Sequence, residues 1–151
     1  MKKVVIVTTI LLIVAVLAIA IPRMKGGQAE FKPPITIYKS MNCGCCGVYS
    51  DYMRRDFDVA IVNTEDPSIK DSNGVPAEMR SCHTTIIGDY FVEGHIPVEA
   101  IKKLMEEKPD IKGIAMPGMP SGSPGMPGAK KGQFIIYQVN NDGSYSEFMR
   151  L

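Results

Sequence analysis

Residues 35–62 read ITIYKSMNCGCCGVYSDYMRRDFDVAIV, and this stretch decides the fold. A β-prone run at 35–38 is followed by a cysteine cluster and then by apolar residues at helical spacing, which predict a helix over about 46–55. A second β-prone run follows at 59–62. A helix between two strands favours a parallel crossover, because parallel neighbours need a long connection to bring the chain back to the same end of the sheet.

The sequence further downstream predicts that the sheet continues. Apolar runs and turn signals predict a short helix at 67–73, a strand pair at 84–87 and 90–92, a helix between Pro97 and Pro109, and strands near 133–139 and 144–149. Asn141-Asp142-Gly143 separates the last two strands and is a strong hairpin signal. We therefore expect one α/β domain over 35–151 that ends in a β-hairpin at 133–151.

Segment 113–132 differs from the rest of this domain, because ten of its twenty residues are Gly or Pro and three are Met. This composition disfavours a helix or a central strand, so the whole segment is predicted to be a loop. A methionine without a core to fill can serve as a soft metal ligand. Met116, Met119 and Met126 are therefore candidate ligands, and Met119 and Met126 are expected to cap the site, although a loop that packs its methionines on the domain also fits the sequence.

The chain begins with a segment of another kind, at 1–25. Lys2 and Lys3 precede an apolar run over 4–21, which as a helix would be about 27 Å long, close to the thickness of a bilayer's hydrocarbon layer. A cleaved signal peptide and an uncleaved membrane anchor both fit this pattern. Residues 26–34 are predicted to be a tether. Both interpretations place the domain outside the cytoplasm, in the periplasm or at the cell surface, where unprotected thiols oxidise.

The charge pattern and the motifs exclude several classes of function. Residues 33–151 carry twelve basic and fifteen acidic side chains without a basic stripe, which argues against a nucleic-acid partner. The sequence shows no carboxylate pair, no Ser-His-Asp set and no phosphate-binding loop. Hydrolase and kinase chemistry therefore has no support in the sequence.

All four cysteines lie in two places, the Cys43-Gly44-Cys45-Cys46 turn and the Cys82-His83 pair. The turn lies where a predicted strand passes into a helix, and the free amides and dipole at a helix start stabilise a thiolate. Thiolates and thioethers favour copper(I), whereas thiolates with a neutral imidazole also suit zinc. We therefore predict a metal site with Cys43, Cys45 and Cys46 as ligands. Cys82 is predicted to be a further ligand, and His83 a ligand or the partner of one.

Two other uses of these cysteines remain open. Four cysteines in an exported protein can form two structural disulfides. Alternatively, a C-x-x-C pair at a helix start is the arrangement of a thiol–disulfide oxidoreductase, with Cys43 as the nucleophile and Cys46 as the resolving thiol. Cys45 weighs against this enzyme, because an additional thiol in the motif invites wrong pairing. His95 is expected to be structural or solvated.

Several motifs together carry a family resemblance. They are Tyr38-Lys39-Ser40, Cys43-Gly44-Cys45-Cys46-Gly47, Gly74-Val75-Pro76, Arg80-Ser81-Cys82-His83-Thr84, Glu93-Gly94-His95-Ile96-Pro97, and Pro117-Gly118-Met119-Pro120 with Gly122-Ser123-Pro124-Gly125-Met126. With these motifs the chain resembles, over about 35–151, a family of small exported Cys-Gly-Cys-Cys proteins, known as a domain of unknown function and associated with metal or copper binding. The resemblance implies a thioredoxin-like fold in which the cysteines form the metal site. Met41-Asn42 departs from the Pro-containing pair often seen before the first cysteine in that family.

The sequence therefore predicts an extracytoplasmic, thioredoxin-like protein that binds copper(I), with zinc as the alternative metal. The hydrophobic helix at the N-terminus would tether it to the membrane or direct its secretion. We expect a role in copper delivery, sequestration or resistance, with a protein partner for metal exchange, and a metal-binding protein more than an enzyme. A thioredoxin-like oxidoreductase is the alternative function, although such enzymes usually place a proline just before the third strand, where this chain has Cys82-His83.

Overall fold

Seven strands and three α-helices lie within residues 32–151, which are the residues that the computed structural model describes. In chain order they are β1 (Pro34–Lys39), α1 (Gly44–Met53), β2 (Asp58–Asn63), α2 (Ser68–Ser72), β3 (His83–Ile87), β4 (Tyr90–Glu93), α3 (Val98–Glu107), β5 (Gly113–Ala115), β6 (Ile135–Val139) and β7 (Tyr145–Arg150). The strands form one mixed sheet in the order β2-β1-β3-β4-β5-β6-β7. The predicted α/β class is therefore confirmed, whereas the predicted signal or anchor at 1–25 lies outside the described residues.

The first crossover, β1-α1-β2, has the predicted form. Strands β1 and β2 are parallel, with Ile37 opposite Ile61, and α1 connects them. The helix begins two residues earlier than the pattern predicts, because Cys43 adopts an extended N-cap conformation and its carbonyl already accepts a hydrogen bond from Gly47 N at 3.2 Å. Cys45 and Cys46 consequently lie in the first turn of α1, and Cys46 lies on its buried face.

Strand β3 determines where the second cysteine segment lies. It runs antiparallel to β1, and His83 at its start is opposite Lys39 at the end of β1. Since Cys43 follows Lys39 closely along the chain, the start of β3 lies beside the cysteine turn. Strands β3 and β4 form the predicted antiparallel hairpin, with Gly88 at φ +56° in its turn.

The prediction that all of 113–132 is a loop is wrong at the start of the segment. Residues Gly113–Ala115 form β5, which pairs in parallel with β4 and antiparallel with β6. A Cβ at Gly113 would lie 2.2 Å from the carbonyl oxygen of Phe91, so glycine is required for this close approach. The composition of the whole segment concealed the strand, because pairing on both sides stabilises it although Gly113 and Ala115 have low strand propensity.

The core and the C-terminal hairpin complete the domain. Strands β6 and β7 pair around Asn141-Asp142-Gly143 as predicted. The main apolar core includes side chains from α1, α3 and the central strands, and Met116 belongs to it with 1% exposure. Met116 therefore fills the core, unlike the other two methionines of its segment. Within 32–151, no helix is both long and apolar enough to cross a membrane.

Candidate metal centre

The cysteine turn at the start of α1 is oxidised in this structure. Cys43 and Cys46 form a disulfide with a Cα–Cα distance of 5.3 Å. Cys45 and Cys82 are free thiols, so the two-disulfide arrangement is not present. The Sγ atoms of Cys43 and Cys45 are 3.5 Å apart. Both of these cysteines are partly exposed, whereas Cys46 is completely buried.

The fold brings Cys82 to this turn. The sulfur atoms of Cys43, Cys45, Cys46 and Cys82 all lie within 4.8 Å of one another. This confirms that the two cysteine segments meet in space, as a shared metal site requires. Their role as metal ligands stays a prediction, and reduction of the disulfide is needed before all four can act as thiolates.

Two histidines lie on the inner side of Cys82. Its sulfur is 3.4 Å from Nδ1 of His83 and 3.1 Å from Nε2 of His95. Cys46, Cys82, His83 and His95 form a second group whose ligand atoms lie within 4.8 Å of one another. His95 is completely buried beside Cys82, so the expectation of a solvated side chain is wrong, whereas a structural role fits its burial. Its motif, Glu93-Gly94-His95-Ile96-Pro97, is a signal in the sequence that marked it.

The hydrogen bonds of the histidines define which nitrogen faces the sulfur. Nδ1 of His95 is 2.7 Å from the carbonyl oxygen of Pro124, and since a carbonyl only accepts, Nδ1–H donates. The lone pair of His95 Nε2 therefore faces Cys82. In metal sites, a histidine ligand commonly donates the N–H of its other ring nitrogen to a backbone carbonyl, which fixes the orientation of the imidazole. His83 is 1% exposed, and its Nε2 has no hydrogen-bond partner within the described residues. A buried polar atom without a partner is unusual and fits a site that is completed by another group.

Burial controls the protonation of the site. It lowers the pKa of His83 to about 3, with the nearby His95 and Lys70 adding to the effect, and it also lowers the pKa of His95. Both imidazoles are consequently neutral near pH 7, which is the form that binds metals. Burial and the neighbouring Cys45 raise the pKa of Cys82 to about 11, so its thiol keeps its proton until a metal ion displaces it.

Tyr49 packs against both histidines and was not identified from the sequence. Its ring centroid is 4.4 Å from that of His83 and 5.4 Å from that of His95. Its hydroxyl donates a hydrogen bond to the carbonyl oxygen of Ile96 at 3.0 Å. The tyrosine thus fills the space between α1 and the two imidazoles and holds them in position.

The Gly/Pro/Met segment lies against the site through a tight turn at 123–126. A Cβ at Gly125 would lie 2.7 Å from the Cys45 carbonyl oxygen and 2.8 Å from Tyr49 N, so the turn packs directly on the first turns of α1. Ser123 is buried within the turn. Met126 is partly exposed at the end of this turn, whereas Met119 is 42% exposed. The two methionines remain predicted caps of the site.

Comparison with known proteins shows what this chain is similar to. The family described as "Protein of unknown function, DUF411" matches residues 79–126. Two solved structures of the copper resistance protein CopG, forms 1 and 2, are 36% identical to this chain, with TM-scores of 0.73 and 0.74. Each comparison covers 80% of this chain, and 98% and 99% of the respective CopG chains. This chain belongs to the same family as CopG. No curated protein sequence matched it.

The segment that matches the family model contains part of the site described above. Residues 79–126 include Cys82, His83, His95 and the turn at 123–126. The cysteine turn at 43–46 precedes this segment, but the two CopG structures align with most of the chain.

Proposed function

We propose that this protein binds copper(I) outside the cytoplasm and serves in copper delivery, sequestration or resistance. The observation that carries the proposal is the convergence of four sulfur atoms, from two separate segments, within 4.8 Å of one another. The similarity to CopG, a copper resistance protein, supports the same assignment. A thioredoxin-like fold and an N-terminal anchor or signal are parts of this proposal.

The donor set favours copper(I) over zinc. Thiolates are soft ligands that bind both copper(I) and zinc, and the similarity to CopG favours copper(I). The predicted thioethers of Met119 and Met126 would extend this preference, since thioethers are also soft ligands. Zinc remains the alternative metal, because a set of three cysteines and one histidine is a known zinc site.

Binding of copper(I) requires prior reduction of the disulfide. Two electrons and two protons from a dithiol or two external thiols convert the Cys43–Cys46 bond into two thiols, and the external thiols become a disulfide. The reduced cysteines can then bind copper(I) as thiolates. Cys82 gives up its proton to solvent as it becomes a ligand, so affinity rises with pH. His95, held by the Pro124 carbonyl, keeps its Nε2 lone pair directed at the same region.

Anaerobic titration of the reduced chain with copper(I), against a chromogenic copper(I) chelator of known affinity, tests the proposal. We expect tight binding that is greatly weakened in Cys82→Ser and in Cys43→Ser, with measurable residual binding by the three cysteines that remain. Ser146→Ala is the control, because Ser146 is exposed on β7 and its replacement keeps all four thiols; its affinity should stay near that of the wild type. Failure of the reduced wild type to compete with the chelator, or tighter binding of zinc under the same conditions, would overturn the assignment.

A second candidate function is thiol–disulfide exchange, which the Cys43–Cys46 disulfide at the start of α1 favours. In that reaction a substrate dithiol reduces the disulfide, or the reduced pair transfers its two electrons to a substrate disulfide. The crowding of Cys45 and Cys82 beside the pair weighs against it, because each is a competing thiol. Turnover of insulin or glutathione disulfide by metal-free protein, lost in Cys46→Ser, would favour the enzyme.

A further inference from the structure

A buried carboxylate lies behind the segment that carries Cys82. Glu93, at the end of β4, is completely buried. Its Oε1 accepts hydrogen bonds from Ser81 N and from Lys70 Nζ, both at 2.5 Å. Its Oε2 accepts a hydrogen bond from Thr84 Oγ1 at 2.6 Å. One carboxylate therefore engages three donors from three parts of the chain.

Two of these donors flank the metal-site residues. Ser81 immediately precedes Cys82-His83, and Thr84 immediately follows them. Thr84 and Glu93 are also direct cross-strand partners in the β3–β4 pair. The carboxylate thus fixes the chain on both sides of the Cys82-His83 segment, and Gly94 N adds a hydrogen bond to the His83 carbonyl oxygen at 3.1 Å.

Burial of a charged carboxylate is costly unless it is paired and fully hydrogen-bonded. Lys70 on α2 supplies the charge partner, and its Nζ also donates to Thr84 Oγ1 at 3.0 Å. An apolar residue would fill the same space without this cost, and replacement of a buried ion pair by apolar residues is often neutral or stabilising. The arrangement is therefore better explained by the geometry that it imposes on the neighbouring chain than by stability.

We propose that Glu93 is a positioning residue that holds Cys82 at the distance from the cysteine turn that metal binding needs. This inference rests on the proposed function, because the expected consequence is a change in copper(I) affinity. Partners of metal ligands that act from outside the coordination shell typically change affinity by about 10–100-fold. We expect a loss of that size when the carboxylate is removed.

The test is a double-mutant cycle measured by copper(I) competition. Glu93→Gln keeps the size of the side chain but replaces one acceptor oxygen with an amide donor that faces Lys70 or Thr84. If Glu93 acts through Cys82, Glu93→Gln weakens binding by about 10–100-fold in the wild-type background and has little effect in the Cys82→Ser background. An equal loss in both backgrounds, or no loss in the wild type, would refute the inference. Glu107→Gln, which removes the surface ion pair of Glu107 with Lys103, is the control and should leave affinity unchanged.

A second measurement does not depend on copper. Cys82 and Thr84 help to line a cleft of about 200 Å³, together with Lys70, which gives reagents access to the thiol. In a Cys45→Ser background with the disulfide intact, Cys82 is the one free thiol, since the chain has four cysteines. We expect iodoacetamide to alkylate it at least several-fold faster with Glu93→Gln at a temperature where both proteins remain folded. An unchanged rate would contradict the positioning role even if copper binding fails for another reason.

Thr84→Val provides a milder variant if Glu93→Gln does not fold. It keeps the Glu93–Lys70 pair and removes the donor that follows His83, in a side chain of nearly the same shape. The same direction of change is expected in both assays, with a smaller size. Wild-type affinity for copper(I) reports on the proposed function, and the dependence of the Glu93 effect on Cys82 reports on this inference, so their failures are distinguishable.

Discussion

Substitution of Gly125 tests whether the Gly/Pro/Met segment is an ordered part of the metal site. Gly125 has φ +81°, a conformation that side chains with a Cβ rarely adopt. Its neighbours leave no space either, because the added Cβ would lie 2.7 Å from the Cys45 carbonyl oxygen and 2.8 Å from Tyr49 N. Both are main-chain atoms of α1, so the clash cannot be relieved by rotation of a side chain. Gly125→Ala must therefore displace the turn from the helix.

The expected cost has two parts that a control separates. The left-handed conformation costs about 1–2 kcal/mol for a residue with a Cβ, and overpacking adds about 1–3 kcal/mol. Gly118 has φ +82°, but a Cβ added there would meet no atom within 4 Å, so Gly118→Ala carries only the first part. We expect Gly125→Ala to lower the free energy of unfolding by about 2–5 kcal/mol in all, and Gly118→Ala by about 1–2 kcal/mol.

Urea unfolding of the two variants and the wild type, followed by circular dichroism, measures the difference. For an m-value of about 2 kcal/mol per molar urea, the additional loss corresponds to a midpoint about 0.5–1.5 M lower. The displaced turn also carries Pro124, whose carbonyl orients His95, so copper(I) affinity should fall in Gly125→Ala and not in Gly118→Ala. Equal unfolding costs for the two variants would show that the turn is not packed on α1, and the reasoning would fail.

Three further predictions concern the thiols, the pH dependence of stability and the buried ion pair. In the oxidised, denatured protein two of the four cysteines should react with Ellman's reagent, and all four should react after reduction. A count of zero before reduction would favour two structural disulfides. Burial lowers the pKa of His83 to about 3 from the 6.5 of a free imidazole, so below pH 6.5 the unfolded state binds one proton more than the folded state. His83 alone should therefore lower the stability of the metal-free protein by about 2 kcal/mol between pH 6.5 and 5. The lowered pKa of His95 adds to this fall, and the raised pKa of Glu93 acts in the opposite direction. Both contributions cancel in the difference from His83→Gln, whose pH slope in urea unfolding should be smaller by the His83 share. Lys70→Met leaves Glu93 buried without its charge partner and should cost about 3–5 kcal/mol near neutral pH, with a smaller loss at pH 5 where the carboxyl is more readily protonated; a loss that does not change with pH would contradict this account.

Much of the local structure was predictable because it depends on neighbours in the sequence. The β1-α1-β2 crossover, the β3–β4 hairpin and the C-terminal hairpin all follow from apolar periodicity and turn residues, and the structure contains each of them. Strand β5 was missed because its stability comes from pairing with β4 and β6, which lie at a distance in the chain. Its own residues give no comparable signal.

The candidate site divides in the same way. The types of donor atoms and the position of the first three cysteines at a helix start follow from residues 43–46 alone. Tertiary packing alone brings His95 and Tyr49 to the site. His95 contacts Cys82, and Tyr49 contacts His83, although both are distant from these residues in the sequence. The buried carboxylate of Glu93 likewise acquires its three donors from α2 and β3 and from the residue before Cys82.

By itself, the amino-acid sequence determined which elements form and which soft donors the protein offers, because helix periodicity, turn chemistry and thiol chemistry are properties of short segments. Only the tertiary structure decided that Cys82 lies within 4.8 Å of the cysteine turn, that two neutral histidines lie behind it, and that a glycine turn covers α1. These features depend on strand register and on burial, which are set by contacts between distant residues and leave no periodic trace in the chain.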